Sequence, residues 1–411
     1  MKRYMKALAL GVAFFGMAGA ASAQTVLNFP SWQTEDRVFA PWWQSVIAEF
    51  ESRNPGVTVD MTTIPFNQYV NQLTVQFAGG NPPDIVHLPS RNFAVFAENG
   101  WLEPLDARLS ETDILENWSP LQSGMEWNEE NQGILLMGYG GVMFYNQKLL
   151  DEHGLAVPTT VAELIAAAEA ITDRDAGVFG FGGTTTDHPN VTTEMHNWVV
   201  GQGANFFADG KYNFTAPEVV AAMDNYRAAY KQAPLGNQSV QTNQFFMDGK
   251  LGFVMGGPFT WPAYRLPDGS MMPDARMAAL PFEIVPGTMS NSLHLATGTP
   301  DDKKALAWEF IQVATEPQFQ ETYTAMTFSP ASREGALSAE AIAAEPVLEV
   351  VNTAAQAAVE IFPTVAAIRA NYNEYANYLT QAGIRLQTTE DPTAQVMADL
   401  QAELERRIPL N

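Results

Sequence analysis

The stretch QFAGGNPPDIVHLPSRNF, residues 76–93, decides how the first third of the chain folds. Gly79, Gly80 and Asn81 turn the chain, and Pro82 and Pro83 fix φ and forbid a continuing helix. Asp84, Ile85 and Val86 then start a short buried strand. Leu88 to Asn92 follow as a loop. Upstream, TVLNFPSW reads as a strand ending at Trp32, and Phe39, Trp43, Val46, Ile47 and Phe50 share one helical face. Asn54-Pro55-Gly56 stops that helix, Val57, Val59 and Met61 alternate as in a half-buried strand, and Tyr69, Val70, Leu73 and Phe77 mark a second helix over about 66–77. The order is βαβαβ, which predicts a parallel sheet covered on both faces.

The middle and end of the chain carry explicit helix starts. Thr160 with Glu163, and Thr215 with Glu218, have capping-box spacing. Thr299-Pro300-Asp301-Asp302 and Pro317 open two more helices, and the last runs over about 394–408. A chain of 411 residues exceeds the roughly 250–300 that one core supports. With neither an internal repeat nor a low-complexity linker, two lobes are expected, with the chain crossing between them more than once.

Composition limits the partners. Lys2, Arg3 and Lys6 precede an apolar run from Ala7 to Ala20 and the triplet Ala21-Ser22-Ala23, the anatomy of a cleaved secretory signal over residues 1–23. The run is too short for the roughly 20 residues of a spanning helix. Removing its three cations takes the formal charge from −24 to −27. Such a field repels polyanions, so nucleic acid and anionic membrane surfaces are poor partners, and no nucleic-acid partner is expected. Without cysteine there is no disulfide, thiolate metal site or lipid-attachment residue, and the expected address is a bacterial periplasm.

Catalytic motifs are missing: no Gly-x-Ser-x-Gly, no His-Glu-x-x-His and no phosphate-cradling loop. FGFGG (179–183) and GYGG (138–141) read as turns or close-packed backbone. His188 and His196, eight apart, fit no metal-ligand spacing, and Glu126, Glu129 and Glu130 read as a solvated loop. No catalytic residue, metal or cofactor is expected. What stands out is aromatic side chains beside amides where strands should end: Trp32-Gln33, Tyr139, Asn197-Trp198, Phe259 with Trp261 and Tyr264, and Asn371, Tyr372, Asn373 and Tyr375. A flat apolar face with amides nearby suits a sugar, whose ring has one C–H face and a rim of hydroxyls.

These segments resemble the family 1 extracellular solute-binding proteins of bacterial ABC importers, the group that includes the maltose-binding type. FESRNPGVTVDMTTIPFNQYVNQL with AGGNPPDIV, then MFYNQKLLDEHGLAVPTTVAELIAAAEAIT, FMDGKLGFVMGGPFTW, KKALAWEFIQVATEPQFQETYTAM and SPASREG follow the family's order over essentially the whole mature chain. The resemblance implies a two-lobe, hinged α/β clamp, each lobe a mainly parallel sheet flanked by helices. It places the N-terminal lobe at 24–138 and 293–330 and the C-terminal lobe at 139–292 and 331–411, with crossings near 138–141, 290–293 and 329–332. It also implies a monomer that takes a carbohydrate or polyol in the interlobe cleft and delivers it to a permease.

The expected ligand contacts are Trp32, Gln33, Ser90, Arg91, Tyr139, Trp198, Phe259 and Trp261, with Asn291, Arg333 and Tyr372 as further candidates. Aromatics would stack on ring faces, while Gln33, Ser90, Arg91 and Asn291 would bond hydroxyls. Two departures bear on the ligand: Leu88 to Asn92 lack the Trp or acid common in the family's third-strand loop, and Phe259 stands where Trp is familiar. One rival keeps the clamp and gives it a charged ligand such as a phosphorylated polyol, held by Arg91 and Arg333. Another is a secreted carbohydrate-active enzyme using a carboxylate pair.

Overall fold

The computed structural model describes residues 24–410; the signal assigned to residues 1–23 lies outside them. Strand Thr25–Ser31 pairs in parallel with Val57–Thr63. The helix between them, Ala40–Arg53, starts with proline in its first turn and buries Trp42, Trp43, Val46 and Phe50. A second helix, Phe66–Ala78, buries Tyr69, Leu73 and Phe77. The Tyr69 hydroxyl sits 2.8 Å from the Pro30 carbonyl and 2.7 Å from that of His87, so this helix ties the first strand to the third.

The third strand is Val86–Pro89, beginning two residues later than the sequence pattern implies. Asp84 accepts from the Asn28 backbone N–H at 2.9 Å and from Lys303 Nζ at 2.8 Å. It pins the strand entry to helix Asp301–Thr315. Ile85, Val86 and Leu88 are fully buried, each contributing roughly 1.5–3 kcal/mol of apolar burial. Ser90–Asn92 then form a single 3₁₀ turn leading into helix Phe93–Glu98.

The sheets are mixed rather than mainly parallel. Strand Val142–Asn146 runs antiparallel to Leu251–Gly256 and to Ala275–Ala279, while Leu251–Gly256 is parallel to Phe179–Gly182. The long strand Val285–His294 is parallel to Ala358–Glu360 at one end and antiparallel to Ile134–Gly140 and Val86–Pro89 along the rest. A chain that returns from a distant part of the fold meets the βαβ strands from the opposite direction, and antiparallel pairing results.

Thr160 caps helix Val161–Ile171 in a complete capping box with Glu163. Thr215 caps nothing: Ala216 is the N-cap, and Pro217, whose missing N–H costs nothing there, opens helix Pro217–Tyr230. GYGG is close-packed backbone, because a Cβ on Gly140 would lie 2.1 Å from the Ala354 carbonyl oxygen.

Apolar side chains gather into separate cores. One holds residues from Leu27 to Met137 together with Met289 to Tyr323. A second holds Met143 to Phe253 with Ile361 to Ile408, and a smaller third joins Val142, Trp261 and Tyr264 to Phe328, Leu348 and Val351. Among the described residues no helix is long and apolar enough to cross a membrane.

Candidate ligand cleft

The first two cores meet along the Ser90–Asn92 turn. Asn92 donates from Nδ2 to Asn373 Oδ1 at 2.8 Å, one side chain from each side of the divide. The Arg91 guanidinium lies 5.4 Å from the Phe66 ring centroid on its own side and 5.8 Å from Phe362 on the other. Phe66 in turn faces the His188 ring at 6.3 Å and 30°. The charge of Arg91 is felt at Tyr139, Tyr372 and His188. Tyr139 meets Phe259 edge to face at 5.2 Å, and Phe39 closes that end at 6.2 Å. The result is a cationic centre walled by aromatic rings from both cores.

Burial governs the titrating groups there. It pushes the Tyr139 hydroxyl up to about 12 and raises Tyr372 also, so both are neutral donors and acceptors at neutral pH. Burial first, and the Arg91 charge second, lower His188, which is a neutral ring. Glu360 is pushed up to about 7 by burial, despite accepting from the Phe362 N–H at 2.9 Å and the Met289 N–H at 3.0 Å. Arg369, the cation facing Glu360, donates to the carbonyls of Gly124 and Glu126 and lies over Phe93 and Trp127. It bridges the two cores beside the seam.

Beneath the turn lies a set of buried, unpaired polar atoms: Ser90 Oγ, His87 Nε2, and both amide atoms of Asn291. Strand pairing sets Asn291 opposite Pro89, next to Ser90. Its amide is a neighbour of His87 and of the Tyr323 hydroxyl, yet neither Nδ2 nor Oδ1 reaches hydrogen-bond geometry with them. Ser31 Oγ receives the Gln33 N–H at 3.0 Å and lies 2.9 Å from His87 Nδ1. One ring nitrogen of His87 is thereby engaged, and the other, Nε2, is without a partner. Buried polar groups normally find partners, so this cluster is where polar atoms of a bound molecule or of water belong.

The structure brings Trp32, Arg91, Tyr139, Phe259 and Tyr372 to this region, with Ser90 and Asn291 fully buried beneath it. Trp32 is half-buried, stacked on His87 at 4.1 Å and 12°. Gln33 is nearby but buried, its Oε1 engaged by Trp43 Nε1 at 2.8 Å, so it braces Trp43 rather than meeting solvent. Three expected contacts lie elsewhere. Trp198 is 1 % exposed, enclosed by Phe181, Tyr226 and Phe282, with no free face. Trp261 stacks on Phe144 at 6.2 Å and borders a separate groove of about 470 Å³ with Met271, Met272, Met277 and Val347, which takes no residue from the first core. Arg333 forms a two-pronged pair with Asp113 at 2.8 and 2.9 Å over the Trp118 ring.

Sequence reasoning missed Phe66, His188, Glu360, Phe362 and Arg369. Phe66 reads simply as the first residue of a helix, and Phe362 and Glu360 sit in a segment with no motif. Asn373 was visible as part of the amide and aromatic cluster near the end of the chain.

Residues 45–350 match the family model described as bacterial extracellular solute-binding protein. The chain belongs to that family. Among its curated relatives is a putative binding protein of Brucella abortus, 21 % identical over 271 residues, 63 % of this chain. The match spans just under two thirds of that relative, 64 % of its length. In structure this solute-binding protein is similar to one from Thermotoga lettingae bound with α-D-tagatose, with a TM-score of 0.82, 20 % identity and coverage of 93 % of this chain and 100 % of the other. It is also similar to one from Agrobacterium radiobacter in complex with ribitol, with a TM-score of 0.80, 19 % identity and coverage of 93 % and 98 %. At these identities the likeness establishes the two-lobe α/β fold. Among the described residues no group of His, Cys, Asp and Glu side chains forms a metal centre.

Proposed function

We propose that this solute-binding protein captures a carbohydrate or polyol by closing its two lobes on it in the periplasm and delivers it to the permease of an ABC importer, performing no bond chemistry. We place the lobes at 24–138 with 293–330 and at 139–292 with 331–411, as a monomer. The observation that carries the reading is the convergence at one seam of aromatic side chains from both cores, Phe66, Tyr139, Phe259, Phe362 and Tyr372, beside the turn in which Ser90, with Asn291 on the neighbouring strand, keeps an unpaired polar group. Rings cover the C–H faces of a sugar while unpaired polar atoms take its hydroxyls. Contacts contributed by both lobes favour the closed state over the open one, which is what a permease can recognise. The tagatose and ribitol held by the two similar structures belong to the same chemical class.

The test is a thermal-shift screen of residues 24–411 against sugars, sugar acids, polyols and phosphorylated polyols. A ligand at 100 times its Kd adds about 2.7 kcal/mol to native stability, and the melting temperature must rise. A screen in which no member of these classes raises it contradicts the reading.

A further inference from the structure

We infer that the ligand carries a single negative charge, the carboxylate of an acidic sugar, and that Arg91 is the residue that selects it. This rests on the sugar-capture reading above. Arg91 is half-buried at the seam and makes no ion pair and no hydrogen bond among the described residues; it lies against two rings, Phe66 and Phe362. In a chain with 46 acids and 22 lysines and arginines, carboxylate partners are abundant, and the other enclosed arginines have acceptors. Arg333 has Asp113, Arg369 has the carbonyls of Gly124 and Glu126, and Arg227 has those of Thr389 and Asp391.

Aromatic neighbours answer the charge of a guanidinium but not its five N–H donors, which lie in its plane and match the two oxygens of a carboxylate. A half-buried cation left with open donors at the point where two lobes meet is complementary to something that arrives from solution.

The surrounding charges fix the sign and size of that partner. The groups facing Arg91 are Tyr139, Tyr372 and His188, all neutral near pH 7. Asp187, beside His188, receives Gln381 Nε2 at 3.2 Å, and Glu360 faces Arg369 and the same two tyrosines. One open cation remains, which matches a monoanionic carboxylate better than a dianionic phosphate monoester. The aromatic walls on either side supply the faces for the sugar ring that bears it.

Calorimetric titration of the full mature chain tests this with two series of matched pairs, D-galacturonate with D-galactose and D-glucuronate with D-glucose, and with glycerol 3-phosphate as the phosphate arm. The expected result is at least 50-fold tighter binding of one uronate series than of its neutral counterpart, with affinity falling as salt is raised. Arg91→Gln should reduce that preference to below threefold, whereas Lys211→Gln, an equal loss of charge at an exposed hairpin residue, should leave it in place. Melting curves of each variant separate loss of selection from loss of fold. Neutral sugars bound as tightly as uronates, tightest binding of glycerol 3-phosphate, or a uronate preference that survives Arg91→Gln overturns the inference while leaving sugar capture standing. No binding by any member of the panel overturns both.

Discussion

Two arginines at the ends of two segments, Arg91 after Pro89-Ser90 and Arg333 after Ala331-Ser332, look interchangeable in sequence and differ completely in the structure. Arg333 is only 12 % exposed at its side chain, forked onto Asp113 and resting on Trp118. It fastens the segment after Phe328 to the first core, where Glu334 N also bonds the Asn117 carbonyl at 3.0 Å. Arg91 lies between rings of both cores with its donors open. A cation whose partner is already present holds the fold together; one whose partner is missing is available to a ligand. The same contrast divides the aromatics of the C-terminal core, where Trp198 is enclosed on every side and Phe362 faces Arg91.

The largest expected effect comes from the enclosed member of that second pair. Trp198→Ala should cost about 3–5 kcal/mol of stability by the urea midpoint, through a cavity among Phe181, Tyr226 and Phe282. Ligand affinity at a temperature where the variant is folded should be unchanged, and a selective loss of affinity would return Trp198 to the site. Arg333→Ala should cost about 1–3 kcal/mol because Asp113 and the Thr315 carbonyl lose their donor, again with affinity within twofold. If Arg333→Ala instead weakens binding more than Arg91→Gln does, the contrast between the two arginines is wrong.

Smaller effects follow at the seam and in the interior. Asn373→Ala removes the acceptor of Asn92 and should weaken ligand binding by about 1 kcal/mol, five- to tenfold, with little change in melting temperature of the unliganded protein. Titration calorimetry measures it. Glu194 offers the acidic counterpart of the same question, a buried charge without a cation. Burial pushes it up to about 7, although Thr184 N, Thr184 Oγ1 and Tyr230 OH all donate to it. The folded state therefore keeps a proton that the unfolded chain releases near its ordinary value of 4.5. Its contribution to stability is present below about 4.5 and is lost as pH rises through about 7. Glu194→Gln should flatten that fall by about 1–2 kcal/mol between pH 5 and 8, read from urea midpoints at four pH values.

Local patterns made much of the fold legible. The Gly-Gly-Asn-Pro-Pro turn, the helical face of Tyr69, Leu73 and Phe77, and the Thr160 box each describe a choice the chain makes within a few residues, and each stands in the structure. Sheet direction was less legible, because Val285–His294 pairs with strands about 150 and 200 residues earlier and nothing within it records that. At the site, the third-strand loop was visible because prolines and a strand deliver it. Trp198 and Trp261 misled because an aromatic beside an amide or a turn has the same sequence signature in a core as on a wall; only the tertiary neighbours, Phe181, Tyr226 and Phe282 for Trp198 and Phe144 for Trp261, separate them. Phe66, Glu360 and Phe362 were silent because their role arises from the approach of the two cores, a property of tertiary structure alone.

The measurement that tests the account most directly is a crystal structure of residues 24–411 with the tightest ligand from the titration panel. The account predicts a ring held between Phe66 and Tyr139, which pack with the first core, and Phe362 and Tyr372 of the second, with its carboxylate paired to Arg91 and a hydroxyl within hydrogen-bond distance of Ser90 or Asn291. Density for the ligand in the Trp261 groove, or in the cleft with Arg91 turned away from it, would contradict that prediction.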